Sequence, residues 1–216
     1  MRDIAAGWRV VRRERWLILS IGEGMTFQLL VVPAVMVLGP LLASEHLGGA
    51  GAWGLLLAAM SVGAVAGGVL SARLRPRRPL VTAIGGTFLA VPILLLLPAT
   101  TSILVVAAAM VAYGVSQSLF DTLWETTIQT HVPADMIGRV DAWDWFASFL
   151  ARPVGLVLIG PIAARLGVDT TLTAAGIAIS ICAALFLAAP SIRGVTSASV
   201  ETVVSVFPEQ ESAATH

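Results

Sequence analysis

The stretch SILVVAAAMVAYGVSQSLFDTLWET, residues 102–126, decides the class of this protein. Leu104 to Met110 carries no polar side chain, so the segment is apolar on every side there. A helix needs about 20 mostly apolar residues to cross the hydrocarbon core of a bilayer, and this stretch supplies them. A membrane β-strand would alternate apolar and polar residues over about ten positions. Neither Leu104–Met110 nor Val91–Leu97 does so. Lipid offers no hydrogen bonds to the backbone, so a spanning segment that does not close into a barrel must be a helix.

Five further stretches read the same way, at 17–42, 52–73, 79–98, 144–166 and 169–189. The expectation is an all-α membrane protein with six transmembrane helices. Composition agrees. Of the 216 residues 57% are hydrophobic and 12% charged, with a mean hydropathy of +0.89, whereas soluble domains carry about 25% charged residues. The apolar run from Leu17 to Ala43 is too long for a signal-peptide core, and no small-residue cleavage site closes it, so it reads as an uncleaved span. Three parts are expected: a basic cytoplasmic or interfacial segment at 1–16, the six-helix bundle at 17–190, and a disordered cytoplasmic tail at 191–216. In the first part, Ile4, Trp8 and Val11 fall at helical spacing among arginines, which suits an interfacial helix or a solvated linker equally well.

All thirteen basic residues are Arg. Five precede the first span (Arg2, Arg9, Arg12, Arg13 and Arg15). Four lie between spans two and three (Arg73, Arg75, Arg77 and Arg78). Arg139 follows span four and Arg193 follows span six. Arg165 alone falls on the other side, and Arg152 lies within a span. Basic loops stay in the cytoplasm, so both termini are expected there, in a multi-pass protein of the cell (inner) membrane. Trp16, Trp53, Trp143 and Trp145 fall at the expected span ends, where an amphipathic ring favours the interface.

Charged residues inside spans are costly and usually face the protein interior. Glu23, Asp121, Glu125 and Arg152 are the four singled out. Glu23 lies about six residues, or roughly 9 Å, into the first span. Asp121 and Arg152 are expected at similar depth in the cytoplasmic half, which predicts an ion pair between Arg152 and Asp121, with Glu23 as second candidate partner. Tyr113, Gln117, Asp121 and Glu125 repeat at i, i+4, i+8 and i+12 and share one helix face. That stripe reads as cavity lining or as polar pairing with a neighbouring helix. Ala59, Gly63, Gly67 and Ser71 form a small-xxx-small stripe that lets another helix approach closely, as a sliding or a static contact. Pro33, Pro40, Pro92, Pro153 and Pro161 interrupt spans and permit kinks.

No nucleophile elbow, zinc-protease pair or phosphate loop is present, so no enzyme is expected. Cys182 is the only cysteine and sits among apolar residues. His46, His131 and His216 have no second His at ligand spacing, so neither a metal nor an organic cofactor is expected.

The loops carry a family pattern. Gly68-Val-Leu70-Ser-Ala-Arg73-Leu-Arg-Pro-Arg77-Arg78 resembles the Gly-x-Leu-x-Asp-Arg-x-Gly-Arg-Arg loop of the major facilitator superfamily. Ala72 stands in place of its Asp and Arg75 in place of its second Gly. Val132-Pro133-Ala-Asp-Met-Ile-Gly138-Arg139-Val140 resembles the segment between helices ten and eleven of that superfamily. Trp143-Asp-Trp145…Arg152-Pro153…Gly160-Pro161 is similar to the branch that holds siderophore and drug exporters of the enterobactin-exporter type. The resemblance covers roughly residues 8–193.

It implies the C-terminal half, helices seven to twelve, of a twelve-helix transporter, built from two inverted three-helix repeats. It further implies that spans one and four line the cavity, that spans two and five pack against the other half, and that Gly68, Arg73, Arg77, Arg78, Gly138 and Arg139 form a cytoplasmic gate. The function expected is secondary active export of a small amphipathic molecule, drug or siderophore by alternating access. Asp121 and Glu23 are the candidates for proton coupling in an antiporter. The partners expected are the bilayer, a small-molecule substrate, and an N-terminal six-helix half or a second copy of the chain; no nucleic acid is expected. A structural or regulatory membrane subunit, or a non-functional transporter remnant, is the alternative.

Overall fold

The computed structural model describes residues 14–74 and 76–196. The basic segment up to Arg13, Arg75 and the tail from Ser197 lie outside the described residues. Six helices are long and apolar enough to cross a membrane: α1 Arg15–Leu47, α2 Ala50–Arg73, α3 Pro79–Ala99, α4 Ile103–His131, α5 Ala134–Leu166 and α6 Val168–Ala188. A short α7, Pro190–Gly194, follows. The described residues contain no strand.

Turn chemistry sets the helix ends. Gly48 (φ 100°) and Gly49 (φ 83°) turn the chain between α1 and α2, and Gly167 (φ 88°) does so between α5 and α6. Side chains rarely tolerate this left-handed backbone, and glycine adopts it freely. Pro79 and Pro190 open their helices, where a missing N–H costs nothing. Inside spans, proline leaves visible marks. Pro33 is followed by a wider π-helical turn at Ala34–Leu38. Pro92 follows a tightened 3-10 turn at Thr87–Ala90.

The expected six spans are present, with three boundary corrections, the first being α4, which runs to His131 rather than ending near residue 126. α1 continues to Leu47 rather than ending near residue 42, because a second π-helical turn, Ala43–Leu47, carries it to the glycine pair. α5 begins at Ala134, ten residues before the expected 144. Its polar first turns concealed it, since hydropathy detects the lipid-immersed part of a helix and not its projecting end. At 33 residues α5 is about 50 Å long, well beyond a hydrocarbon core of about 30 Å.

The packing has an internal symmetry. α2 packs on α4 and α5 on α1; α3 packs on α4 and α6 on α1; α3 meets α6. Exchanging α1 with α4, α2 with α5 and α3 with α6 returns these five pairs, while the smaller α5–α6 contact has no comparable counterpart between α2 and α3. Two three-helix repeats produce this pattern.

Lipid tails are as apolar as leucine, so close van der Waals contact holds such helices together. Gly63 sits against the backbone of Val111, Gly67 against that of Val115, and Gly114 against the Met60 carbonyl. The small stripe Ala59–Gly63–Gly67–Ser71 is therefore consumed within the bundle, on α4. Any packing of span two against another half would thus use a different face of that helix. Ser71 keeps its hydroxyl satisfied by donating to the Gly67 carbonyl at 2.7 Å.

The symmetric contact, α5 on α1, uses a second small stripe that sequence reading passed over. Ala147, Ala151, Gly155 and Ala163 are all buried. Gly155 rests against the carbonyl of Leu29, the group that Pro33, lacking an N–H, leaves without its helical donor.

Candidate functional site

Two large apolar clusters, with a small third one at Ala83, Leu119 and Leu123, fill the bundle. One, toward the arginine-bearing end, includes Leu17, Ile21, Ile84, Trp124 and Ile192. The other includes Val31, Ala90, Ile93, Met110 and Ile179. Between them on α1, α3, α4 and α5 runs a polar layer. Glu23, Thr87, Ser116, Gln117, Asp121, Asp144 and Ser148 line a cleft of about 130 Å³, together with Gln28 and the rings of Phe27, Phe120 and Trp124. That volume holds a few water molecules. α4 and α5 flank the cleft while barely packing on each other, so it is open along that side.

The register of four helices brings these groups to one level. From the arginine-bearing ends, Glu23 is eight residues along α1 and Thr87 eight along α3; Asp121 and Asp144 are each ten along α4 and α5. At 1.5 Å per residue all four lie about 12–15 Å in. Glu23 is 1% exposed, and its Oε1 accepts the Thr87 hydroxyl at 2.6 Å. Thr87 opens the 3-10 turn of α3, so this bond ties a buried carboxylate of α1 to the irregular turn of α3. Trp124 Nε1 donates to Asp144 Oδ2 at 3.1 Å across the α4–α5 gap. Trp124 is itself held edge-on by Trp16, with ring centroids 6.2 Å apart.

The polar stripe of α4 divides. Gln117 and Asp121 line the cleft. Tyr113 does not: it is fully buried in the apolar cluster and stacked on Phe27 at 6.1 Å. Its hydroxyl has no hydrogen-bond partner among the described residues. Glu125 is exposed and lies outside the lining.

The expected Arg152–Asp121 ion pair is not formed, nor is one with Glu23. The described side chains do bring His46 within 3.7 Å of Glu45. The early start of α5 is the physical reason that Arg152 meets neither carboxylate. Arg152 lies eighteen residues along α5, about 27 Å from its first residue and some 12 Å beyond the level of Asp121. Arg152 is exposed and shares its level with Tyr113, on which its charge acts.

The loop residues sit at the common end. Arg73, Arg77, Arg78 and Gly138 are exposed, and Gly68 is half-buried, with its nearest neighbour the Ser118 hydroxyl. Arg139 directs a guanidinium N–H to Met136 Sδ at 3.2 Å.

Sequence reading passed over Thr87, Ser116, Trp124, Asp144 and Ser148. A signal existed for two of them. Asp144, Ser148 and Arg152 repeat at i, i+4 and i+8, the same spacing as the stripe on α4, but Asp144 is the first residue of the expected span and was not singled out. Nothing in the sequence pointed to Thr87 as the partner of Glu23, 64 residues away.

Comparison with known proteins accords with this architecture. The chain is 28% identical over 158 residues to the enterobactin exporter EntS of Salmonella choleraesuis (strain SC-B67), a match covering 71% of this chain and 37% of that relative. The chain thus spans well under two thirds of that relative's length. No solved structure matches. The family model of the Major Facilitator Superfamily matches residues 2–156. With six apolar helices, a repeat-symmetric packing and a match over more than half its length, this chain belongs to the major facilitator superfamily.

Proposed function

We propose that the chain forms one wall, helices seven to twelve, of a secondary active transporter that exports a small amphipathic molecule, drug or siderophore by alternating access. One observation carries this reading: a polar layer, between two apolar clusters, lines a cleft left open where α4 and α5 barely pack on each other. Polar groups in a membrane interior face protein or a water-filled path. A purely structural subunit would use them up in helix pairing. Here the side chains of Ser116, Gln117 and Asp121 line the cleft without a hydrogen bond to a described side chain, which favours a path.

In this reading an N-terminal six-helix half, or a second copy of the chain, covers the open side. Glu23 and Asp121 couple transport to protons, with Asp144 beside them. Arg73, Arg77, Arg78 and Arg139, with Gly68 and Gly138, form the gate at the cytoplasmic end. Both termini lie in the cytoplasm of a cell whose inner membrane holds the protein. Exposed Arg152, at the level of Tyr113, belongs to the far rim of the path.

The test is dye efflux from vesicles holding the chain with an N-terminal major facilitator half, driven by an imposed proton gradient. Efflux is expected to fall at least tenfold in the Glu23→Gln, Asp121→Asn double variant. Gradient-driven efflux unchanged in that variant sinks the coupling assignment, and no efflux in any pairing sinks the transport reading. Crosslinking in membranes separates the arrangements, since a homodimer gives a covalent pair from this chain alone.

A further inference from the structure

We infer that an apolar groove between α1 and α5, at their arginine-bearing end, binds an anionic phospholipid. One acyl chain lies in the groove and the phosphate reaches Arg15 and Arg139. This site is separate from the polar cleft, and it does not depend on the transport reading.

The groove is a product of register. α1 and α5 run parallel from the arginine-bearing end, and the close contact of Gly155 with Leu29 and Pro33 fixes their relative shift. Counting back from that contact puts Trp143 at the level of Ile18 and Leu150 at the level of Met25. These four side chains, with Phe146, wall a space of about 310 Å³. Ile21 and Ala147, each 8% exposed, close its floor. Gly22 lines it too, and the side chain it lacks leaves the space open. Ile18 to Met25 and Trp143 to Leu150 each span roughly 10 Å. Trp143 is set edge-on to Phe146, with ring centroids 5.7 Å apart. No charged side chain lines the space.

The groove looks away from the cleft. Trp143, Phe146 and Leu150 lie roughly a third of a turn round α5 from the cleft-lining Asp144 and Ser148. The α1 contact at Ala151 and Gly155 falls between the two sets. Phe146 is 59% exposed and Leu150 55%. On a membrane-spanning helix such surface meets acyl chains, which are as apolar as leucine.

Charge selects the lipid. Arg139 stands four residues before Trp143 on α5, and Arg15 three before Ile18 on α1. Each therefore lies one turn beyond the lining, on the lining's side of its helix, and the same register brings the two to one level. Arg15 is exposed, and Arg139 is half-buried with a guanidinium N–H directed to Met136 Sδ at 3.2 Å. The guanidinium fork matches phosphate oxygens. Glu14 is exposed beside Arg15, but Arg12 and Arg13 precede it in the sequence, so this end of α1 is basic on balance. Basic pockets between membrane helices hold anionic head groups, and Trp143 at the groove suits the headgroup level. A choline lipid fits less well, because its head brings a second cation to the arginines. A free anion gains nothing from the apolar walls.

The test titrates the full chain, stripped of lipid in neutral detergent, with phosphatidylglycerol or phosphatidylcholine of matched chains. Lipid retained per chain is read by native mass spectrometry. A neutral micelle has no charged leaflet, so discrimination reports a site. Wild type is expected to retain one phosphatidylglycerol roughly tenfold more tightly than phosphatidylcholine, and the Arg15→Gln, Arg139→Gln variant to lose that preference. Arg15→Lys, Arg139→Lys, which keeps the charge, is expected to retain it. Arg77→Gln, Arg78→Gln removes the same charge from the α2–α3 loop and is expected to leave it unchanged. Gly22→Leu keeps both arginines and fills the groove; the first carbon of its side chain meets Phe186 only at 3.6 Å, an ordinary contact. It is expected to weaken phosphatidylglycerol, and undiminished binding there overturns the groove as the place of the chain. Equal retention of the two lipids by wild type overturns the assignment, and no misfolded variant can mimic that result. Equal loss in the two glutamine double variants overturns it in favour of diffuse attraction. Retention of neither lipid by wild type overturns it as well, since protein then covers the groove.

Discussion

Gly155→Ala is the sharpest test of how this bundle is held. The α5–α1 contact is close because residue 155 has no side chain. A methyl there would lie 2.5 Å from the Leu29 carbonyl oxygen and 2.5 Å from Pro33 Cγ. Ordinary contact begins near 3.4 Å, so α5 must back away by about 0.9 Å. A gap of roughly 0.5–1 Å forfeits about a quarter to a half of each contact's dispersion attraction. In lipid no hydrophobic drive between helices makes up that loss. Overpacking of this kind costs about 1–3 kcal/mol, while the better helix propensity of alanine returns at most about 1 kcal/mol. The control is Gly160→Ala on the same helix, where nothing lies within 4 Å of the added methyl. There only the propensity gain operates. Stability would be followed by far-UV circular dichroism as dodecyl sulfate is titrated into detergent-solubilised protein. Gly155→Ala should unfold at lower denaturant fraction than wild type, and Gly160→Ala at equal or higher. If both shift in the same direction, or Gly155→Ala is neutral, close approach at this carbonyl does not hold α5 to α1.

Other expectations follow from single contacts. Glu23→Ala leaves the buried Thr87 hydroxyl without its acceptor and should cost about 1–3 kcal/mol, whereas Glu23→Gln keeps an acceptor and should cost less; the same titration ranks them. Trp124→Phe removes the N–H bonded to Asp144 and should destabilise by about 1 kcal/mol while loosening α5 from α4, visible as faster crosslinking of cysteines placed on the two helices. Arg152→Ala and Asp121→Asn should be additive within about 0.5 kcal/mol, because the two side chains are not paired; a larger coupling would restore the ion pair read from sequence. For orientation, Arg77→Cys in a Cys182→Ala background should react with an impermeant maleimide only when the cytoplasmic face is accessible, and labelling from outside intact cells would reverse the topology.

Much was legible before any coordinates. Apolar stretches of spanning length define helices in any context, because lipid leaves the backbone no other way to satisfy its hydrogen bonds. Arginine placement is equally local, and so are the small stripe on α2 and the polar stripe on α4, which follow from helical spacing alone. The errors came from registers set by helix ends. Drawing α5 from residue 144 rather than 134 displaced Arg152 by about 15 Å and created an ion pair on paper. It also left Asp144 at a supposed membrane edge, when in the fold it lies level with Asp121 and accepts the indole N–H of Trp124.

The sequence by itself therefore determined the class of protein, the six helices, their common basic end and the presence of charge within the membrane, because each depends on residues near one another along the chain. Which polar groups meet was decided only by tertiary structure. Glu23 finds Thr87 across 64 residues, and the α4 stripe splits so that Gln117 and Asp121 face the cleft while Tyr113 is buried on Phe27. Those outcomes depend on how far each helix is rotated and shifted against its neighbours. Rotation and shift are set by close contacts such as Gly63 on Val111 and Gly155 on Leu29, and a one-dimensional pattern carries the spacing of such residues without the partner they will touch.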